Sequence, residues 1–328
     1  MPLLSVENLV TWYYTKEGEV KAVDGITFDI GNGEFFGLAG ESGCGKTTAA
    51  LSIMRLLPRN GRIVGGKIAY GRYDLARIEK SLLRKELWWK KISIVFQAAM
   101  NAMNPVITVG DQVSEPIIFH EKIAKSEAEE RVKRLFELVG IDSSRLKDYP
   151  HEFSGGMRQR AMIAMALACN PEFVILDEPT TALDVIVQGE VLDLIIKLQK
   201  DLNLSVMLIT HDLSVIAEMC QRTCIMYAGK LVECADTATI FKNPRHPYTQ
   251  GLINAFPSIS GAWRRLEGIP GSPPNLLNPP SGCRFHTRCP YAKERCLKEE
   301  PPYIEVSKGH YIACHFIDEI NKIVSGGQ

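Results

Sequence analysis

The sequence predicts an α/β fold built on a parallel β-sheet, and three observations support this prediction. The apolar run 35–39 leads into a glycine-rich turn and then into a segment of good helix formers. The runs 173–176 and 205–209 are almost wholly apolar, as expected for parallel strands that are covered on both faces. The stretch between them, 187–202, has apolar residues at helical spacing, so strand and helix alternate here.

The composition is that of a globular protein without a strong net charge. The 328 residues are enough for about two domains, and 45% of them are hydrophobic. Lys plus Arg equals Asp plus Glu at 38 each, so no overall field attracts nucleic acid. No run approaches the roughly 18 apolar residues of a membrane span, and the first residues lack a secretory signal pattern. We therefore expect a soluble, cytosolic protein.

The N-terminal part is predicted to be rich in antiparallel β-structure. Residues 3–30 alternate and turn like strands, and a second β patch lies at 65–71. Three aromatic residues, Trp12, Tyr13 and Tyr14, either pack across these strands or provide one ring for stacking on a base.

The middle of the chain predicts a helical insertion. The charged stretch 75–91 is predicted to be helical. A short buried strand is predicted at 92–96 and ends at Gln97. Residues 106–148 also look helical, and the clearest helix, 126–140, has an apolar face and a capping-box-like start at Ser126.

The last third combines regular elements with a proline-rich tail. A helix is predicted at 214–220 and a hairpin at 223–233. From Asn243 onward proline is frequent, so we expect a loop-rich region.

The glycine-rich turn after the first core strand matches the pattern G-x-x-x-x-G-K-[ST] of a phosphate-binding loop. Backbone N–H groups of such a loop surround an anion, and the helix N-terminus adds its positive dipole end. Lys46 would reach the β- and γ-phosphates, and the Thr47 hydroxyl would bind Mg²⁺. The predicted phosphate ligands are Gly40, Ser42, Gly43, Gly45, Lys46, Thr47 and Thr48. The alternative is a glycine-rich turn with a chance lysine; the flanking strand and helix favour a nucleoside triphosphate.

Two carboxylates follow the apolar run 173–176, at the strand end where ligands bind in α/β sheets. Asp177 would hold Mg²⁺, directly or through water, and Glu178 would orient and polarise the attacking water. The alternative is a charged loop after a buried strand.

The segment 153–160, with Ser154, Gly155 and Gly156 near its start, resembles the signature segment of the ATP-binding subunits of ABC transporters. A serine and two glycines at a helix start can present N–H groups to a γ-phosphate. In that family the segment completes the ATP site of the opposite subunit, so the resemblance implies that two subunits sandwich two ATP molecules.

Other positions also resemble the family's motifs. Tyr13 resembles the aromatic residue that stacks on adenine, with Trp12 or Tyr14 as the alternative. Gln97 resembles the glutamine that contacts Mg²⁺ and the attacking water. Residues 181–184 resemble the loop that crosses the dimer interface, and His211 the histidine that contacts the γ-phosphate. One departure is Ala98, where close relatives usually carry an acidic residue, which affects the contacts to the membrane subunits. The resemblance implies a complete, active site.

The tail segments 243–249, 266–271 and 283–290 resemble the C-terminal region of oligopeptide and dipeptide permease ATPases. The resemblance implies an importer fed by an extracellular substrate-binding protein, with two transmembrane permease subunits. It also implies a second, homologous ATPase subunit, in a heterodimer or a homodimer, and a peripheral location on the cytoplasmic face of the cell membrane. No nucleic-acid partner is expected.

The nine cysteines fall into two groups. Five are expected to lie singly in the core or in loops: Cys44, Cys169, Cys220, Cys224 and Cys234. Four follow the pattern C-x5-C-x6-C-x17-C: Cys283, Cys289, Cys296 and Cys314. Their thiolates could bind tetrahedral zinc or an iron–sulfur cluster, although C-x2-C knuckles are missing. Resemblance to relatives with this tail implies a [4Fe–4S] cluster; Zn²⁺ and no metal remain alternatives. The nearby His286, His310 and His315 read as loop surface.

The predicted fold class is therefore the P-loop NTPase fold of ABC nucleotide-binding proteins, with an antiparallel β subdomain and an inserted helical subdomain. We assign 1–97 and 162–240 to the ATP-binding core, 98–161 to the helical subdomain and 241–328 to the cysteine-containing C-terminal region. The predicted function is ATP hydrolysis that drives peptide uptake. An oligosaccharide, opine or nickel importer is the alternative, and a non-transport ABC ATPase fits less well because the chain has one cassette and no long coiled coil.

Overall fold

The computed structural model describes residues 2–97, 102–255 and 268–320. The contacts of the chain divide it into two compact units. The helical unit contains Ile30–Phe35 and Arg77–Ile209, and the phosphate-loop unit contains Leu3–Asp29, Phe36–Ala76 and the residues from Thr210 onward. The functional division into core, helical subdomain and C-terminal region stays a prediction.

The regular elements are numbered in chain order. The β-strands of the described residues are β1 (Leu4–Thr15), β2 (Gly18–Ile30), β3 (Phe35–Ala39), β4 (Gly61–Tyr70), β5 (Tyr73–Asp74), β6 (Ile92–Val95), β7 (Phe173–Asp177), β8 (Ser205–Thr210), β9 (Arg222–Tyr227), β10 (Lys230–Asp236), β11 (Tyr303–Ser307) and β12 (His310–Ala313). The α-helices are α1 (Lys46–Met54), α2 (Lys80–Leu82), α3 (Val109–Glu121), α4 (Lys125–Leu138), α5 (Gly155–Leu167), α6 (Val185–Leu202), α7 (Leu213–Met219), α8 (Thr237–Lys242), α9 (Pro247–Asn254) and α10 (Glu294–Lys298).

The phosphate-loop unit contains the predicted antiparallel β-structure, which is confirmed. Strands lie in the order β2-β1-β4-β5, and β1 pairs with β4 with Leu4 opposite Tyr70. Leu4, Val6 and Leu9 are fully buried, whereas Glu7 between them is exposed. The β1 strand thus has one face in the core, as its apolar pattern requires.

The same unit holds a second run of strands, in the order β11-β12-β10-β9-β3. Strand β3 is parallel to β9, with Phe36 opposite Arg222, and all five residues of β3 are buried. The predicted hairpin is confirmed as β9 and β10. The tail is not only loop: its hairpin β11–β12 pairs with β10, with Ile312 opposite Glu233.

Two cysteines expected to lie singly are bonded to each other. Cys224 on β9 lies opposite Cys234 on β10, with a Cα–Cα distance of 4.0 Å and a disulfide between the two sulfurs. The expectation was wrong because hairpin pairing brings together positions whose sequence spacing carries no cysteine motif. Cys44, Cys169 and Cys220 are buried, as expected.

The helical unit contains the predicted parallel strands, which are also confirmed. Strand β7 pairs with β6 and with β8, both in parallel, with Phe173 opposite Ile92 and Ser205. Every residue of β7 is buried, so the polar side chains at its carboxyl end extend from a well-packed strand.

The predicted helical insertion is confirmed, with two corrections to its details. Helix α4 buries the predicted apolar face, but it begins at Lys125 behind Ala124, which makes no side-chain cap. Ser126 therefore lies in the first turn and forms no capping box. The charged stretch 75–91 contains only α2 and a π-helical turn, Leu83–Leu87, because the backbone becomes extended at Trp88.

Among the residues that the structure describes, no helix combines the length and the apolar character needed to cross a bilayer.

Candidate functional site

The phosphate loop connects β3 to α1 in the phosphate-loop unit, and two of its glycines are required by close packing. Gly40 and Gly45 have φ values of 150° and 111°, in the region that favours glycine. A Cβ atom on Gly40 would lie 2.1 Å from the Met226 carbonyl oxygen, and one on Gly45 equally close to that of Ala22. The glycines let the chain turn against neighbouring backbone, so the pattern has a direct steric cause.

The buried side chain of Lys46 folds back over this loop. Its ammonium donates to the carbonyl oxygens of Gly40 at 2.7 Å and of Glu41 at 3.0 Å. Thr47 is exposed at the start of α1. The lysine therefore sits where a phosphate group in the loop could replace neutral carbonyl acceptors by stronger, charged ones.

The Tyr13 side chain lies beside the helix that follows the loop. Its hydroxyl is 3.2 Å from the Thr48 hydroxyl on α1, and its ring is close to Gly61. Tyr14 is 39% exposed. The choice among the three aromatic residues for adenine stacking stays a prediction.

The helical unit brings three predicted residues together at the carboxyl end of β7. Asp177 ends the strand and is 1% exposed. The Glu178 carboxylate accepts hydrogen bonds from the Gln97 side chain at 2.8 Å and from the Thr181 hydroxyl at 3.0 Å. Glu178 has a φ of 48°, a left-handed conformation that is uncommon outside glycine. The Glu178 carboxylate is thus held by two side-chain hydrogen bonds, on a backbone in an uncommon conformation.

The predicted signature segment forms the start of α5, in the same unit. The Ser154 hydroxyl caps the helix by accepting from the Met157 N–H at 3.3 Å, and Gly155 and Gly156 are the first helical residues. A Cβ on Gly156 would lie 2.4 Å from the Val187 side chain at the start of α6. Only glycine fits there without movement, so the segment packs closely against the start of α6, which follows the 181–184 loop.

His211 and Ala98 are the two remaining positions that the sequence singled out. His211 is exposed and lies just before α7, whose N-terminus is capped by Asp212. Ala98 lies outside the described residues.

The four C-terminal cysteines line one small cavity in the phosphate-loop unit. Their neighbours there include Phe285, Phe316 and Ile320. Burial raises the pKa of the Cys283 thiol to about 12 and that of Cys289 to about 11. Within the described parts of the chain, no group of three or more His, Cys, Asp or Glu side chains is arranged to hold a metal ion.

Sequence reasoning missed a buried polar cluster around Glu233. This carboxylate is fully buried and accepts from the N–H groups of Arg245 and His246 and from the His310 ring at 2.8 Å. His310 is therefore a core residue, and its assignment to the loop surface was wrong. Burial also lowers the pKa of His246 to about 4. The cluster ties the C-terminal hairpin to β10.

Sequence reasoning also missed contacts between the C-terminal region and the phosphate loop. Arg288 forms an ion pair with Glu41, and the Tyr248 hydroxyl accepts from the Glu41 N–H at 2.9 Å. The partners are 247 and 207 residues apart in sequence. No local pattern could reveal such pairs.

Comparison with known proteins places these features in one family. A family model described as ABC transporter matches residues 23–181, and one described as Oligopeptide/dipeptide transporter, C-terminal region, matches 232–296. A probable peptide ABC transporter ATP-binding protein of Sinorhizobium fredii is 45% identical, over 97% of this chain and 96% of its own. A dipeptide transport ATP-binding protein of Bacillus subtilis is 44% identical, over 97% and 95%.

Solved structures share the fold. A dimeric ATP-binding cassette in a post-hydrolysis state, bound to ADP and Pi, has a TM-score of 0.64 at 26% identity. The similarity covers 71% of this chain and 98% of that one. A protein from Clostridium perfringens described as part of an ABC transporter complex has the same TM-score and identity, over 74% and 91%.

The matched family and the shared fold define this chain as an ABC-type ATPase, which confirms the predicted fold class and enzyme class. Within that class it belongs to the oligopeptide and dipeptide permease family of ATP-binding subunits, as its sequence predicted.

Proposed function

We propose that this protein hydrolyses ATP to drive peptide uptake across the cell membrane. The observation that carries the proposal is the union, in one chain, of the nucleotide motifs with an oligopeptide-type C-terminal region. The named functions of relatives aligned over 97% of the chain support peptides as the transported class.

In this proposal the phosphate loop binds the triphosphate. The loop glycines, Ser42 and Thr48 surround the phosphates, Lys46 neutralises the β- and γ-phosphates, and Tyr13 stacks on adenine. Thr47, Gln97 and Asp177 would hold Mg²⁺, which when bound would neutralise charge on the transferred phosphoryl group.

Glu178 is the proposed general base. Its carboxylate orients the attacking water and accepts its proton as the water oxygen bonds to the γ-phosphorus and the bond from that phosphorus to the departing ADP breaks. The Gln97 amide donates a hydrogen bond to the Glu178 carboxylate, so it helps to orient this carboxylate toward the water. His211 is proposed to donate to the γ-phosphate, where charge develops in the transition state.

The proposed working unit is larger than one chain. Ser154, Gly155 and Gly156 would contact the ATP held by a second, homologous ATPase subunit, so hydrolysis requires a dimer. Two transmembrane permease subunits and an extracellular substrate-binding protein complete the importer, with this subunit at the cytoplasmic face. Closure on ATP and reopening after product release would move the permeases.

The test is to isolate the tagged protein from detergent-treated membranes of its own host. We expect two membrane subunits and a second ATPase to accompany it, and we expect its binding protein loaded with peptide to stimulate ATP hydrolysis. If only a sugar-loaded binding protein stimulated ATP hydrolysis, the transported substrate would be an oligosaccharide and not a peptide. Recovery with ribosomes or DNA instead of membrane subunits would contradict the proposal.

We also propose that Cys283, Cys289, Cys296 and Cys314 hold a [4Fe–4S] cluster. All four thiols line one cavity among aromatic and aliphatic side chains, and four thiolates are the usual donor set of such clusters. When bound, the cluster would link the loops of the tail.

Anaerobic purification tests this assignment. We expect about four irons per chain and a brown colour, and Cys289→Ser should lose both. Cys169→Ser is the matched control, since Cys169 is buried but lies outside the cavity. Because the raised thiol pKa values mean that loading releases protons, loading should weaken as pH falls. A colourless preparation, or one zinc per chain, would contradict the cluster.

A further inference from the structure

The C-terminal region holds the phosphate loop by the side chain of Glu41. Arg288 makes a two-pronged contact with this carboxylate: Nη1 lies 2.6 Å from Oε2, and Nη2 lies 3.0 Å from Oε1. Paired hydrogen bonds of this kind fix the orientation of both groups and are stronger than neutral ones.

The guanidinium of Arg288 is itself held in place. Its Nε donates to the Pro270 carbonyl at 2.8 Å, and Nη2 also donates to that of Ile269 at 3.2 Å. The group lies 5.7 Å from the centre of the Tyr227 ring and is buried. Its hydrogen bonds to Glu41 raise the pKa of Arg288 further, so it stays charged. Arg288 is thus a fixed cation aimed at one residue of the loop.

The backbone of Glu41 is held as well. Its N–H donates to the Tyr248 hydroxyl at 2.9 Å, and Tyr248 is fully buried against Tyr227 and Phe285. Both the side chain and the N–H of Glu41 are therefore fixed by residues outside the loop.

An unpaired negative charge on the Glu41 side chain would weaken the binding of an anion in this loop. It follows Gly40 directly, and its carbonyl accepts from the Lys46 ammonium at 3.0 Å. A carboxylate released from Arg288 would repel phosphate and could capture the Lys46 ammonium instead. The Arg288 contact neutralises the carboxylate and engages both of its oxygens in hydrogen bonds.

We propose that Arg288 is a positioning residue of the ATP site, which keeps Glu41 neutralised and Lys46 available for phosphate. This inference rests on the proposed ATPase function. It makes the C-terminal region a support of the nucleotide site, since Arg288 immediately precedes Cys289 in the cysteine cluster.

The experiment compares ATP affinity and turnover of the full-length protein with those of Arg288→Gln. We expect a loss of ATP affinity of about tenfold, within the range of coupling between contacting groups. Arg284→Gln is the matched control: Arg284 is a buried arginine of the same region, paired with Asp24 and not with the loop. It should lower the melting temperature similarly but leave ATP affinity within about twofold.

A charge-removing second change separates positioning from folding. Glu41→Gln removes the unbalanced carboxylate, so Arg288→Gln/Glu41→Gln should bind ATP nearly as well as the unchanged protein. If Arg288→Gln does not fold, Arg288→Met with and without Glu41→Gln answers the same question, because methionine also removes the charge while filling similar space. Unchanged affinity in the Arg288 variants, or failure of Glu41→Gln to restore it, would overturn the inference. An unchanged protein that binds no ATP would instead overturn the proposed function.

Discussion

Replacing Glu178 by glutamine should lower the rate of ATP hydrolysis about 10²- to 10⁴-fold, the usual contribution of a general base. Glutamine keeps the size and can keep the hydrogen bonds to Gln97 and Thr181, but it cannot accept the proton of the attacking water. ATP binding should be retained, and a dimer closed on ATP should accumulate. The measurements are phosphate release under saturating ATP and the mass of the ATP-bound species by size exclusion with light scattering.

The matched control lies at the other end of the same strand. Glu172 precedes β7 as Glu178 follows it, and its side chain pairs with Lys91. Glu172→Gln should leave turnover within about twofold, since an exposed ion pair contributes little. If Glu178→Gln hydrolysed ATP at the unchanged rate, the assignment of Glu178 as the base would be wrong.

Replacing Lys46 by alanine should weaken ATP binding itself, by about 10- to 100-fold, because a charged hydrogen-bond donor to phosphate is lost. The affinity is measured by titration with a fluorescent ATP analogue or by calorimetry. Lys46 also bonds to two loop carbonyls, so the melting temperature must be recorded alongside the affinity.

An exposed lysine of the same unit provides the comparison. Lys67 lies on β4 and its substitution by alanine should leave ATP affinity unchanged. Unchanged affinity in Lys46→Ala, in a protein that remains folded, would show that the glycine-rich turn is not a phosphate loop.

Features written in contiguous sequence could be predicted, because their physical cause is local. The phosphate loop needs glycine at Gly40 and Gly45 where backbone atoms approach, so its pattern predicts its place between strand and helix. Helix α4 was predicted from its apolar face, although its start was missed because Ala124 carries no capping side chain.

Features that depend on distant pairing could not be predicted. Strands β11 and β12 have five and four residues and pair with each other, and β12 also pairs with β10, far earlier in the chain. The approach of Gln97 to Glu178 followed only from family resemblance, since 81 residues separate them. No sequence motif pairs Arg288 with Glu41, so this ion pair could be found only in the folded structure.

The buried Glu233 cluster limits how this protein can recombine with its relatives. The carboxylate belongs to β10, whereas two of its donors, His246 and His310, belong to segments that follow it. A crossover near residue 240 would join a strand inherited from one parent to partners inherited from another. Chimeras should instead exchange β9, β10 and all later residues together. The Glu233 carboxylate and its hydrogen-bond donors then come from the same parent protein.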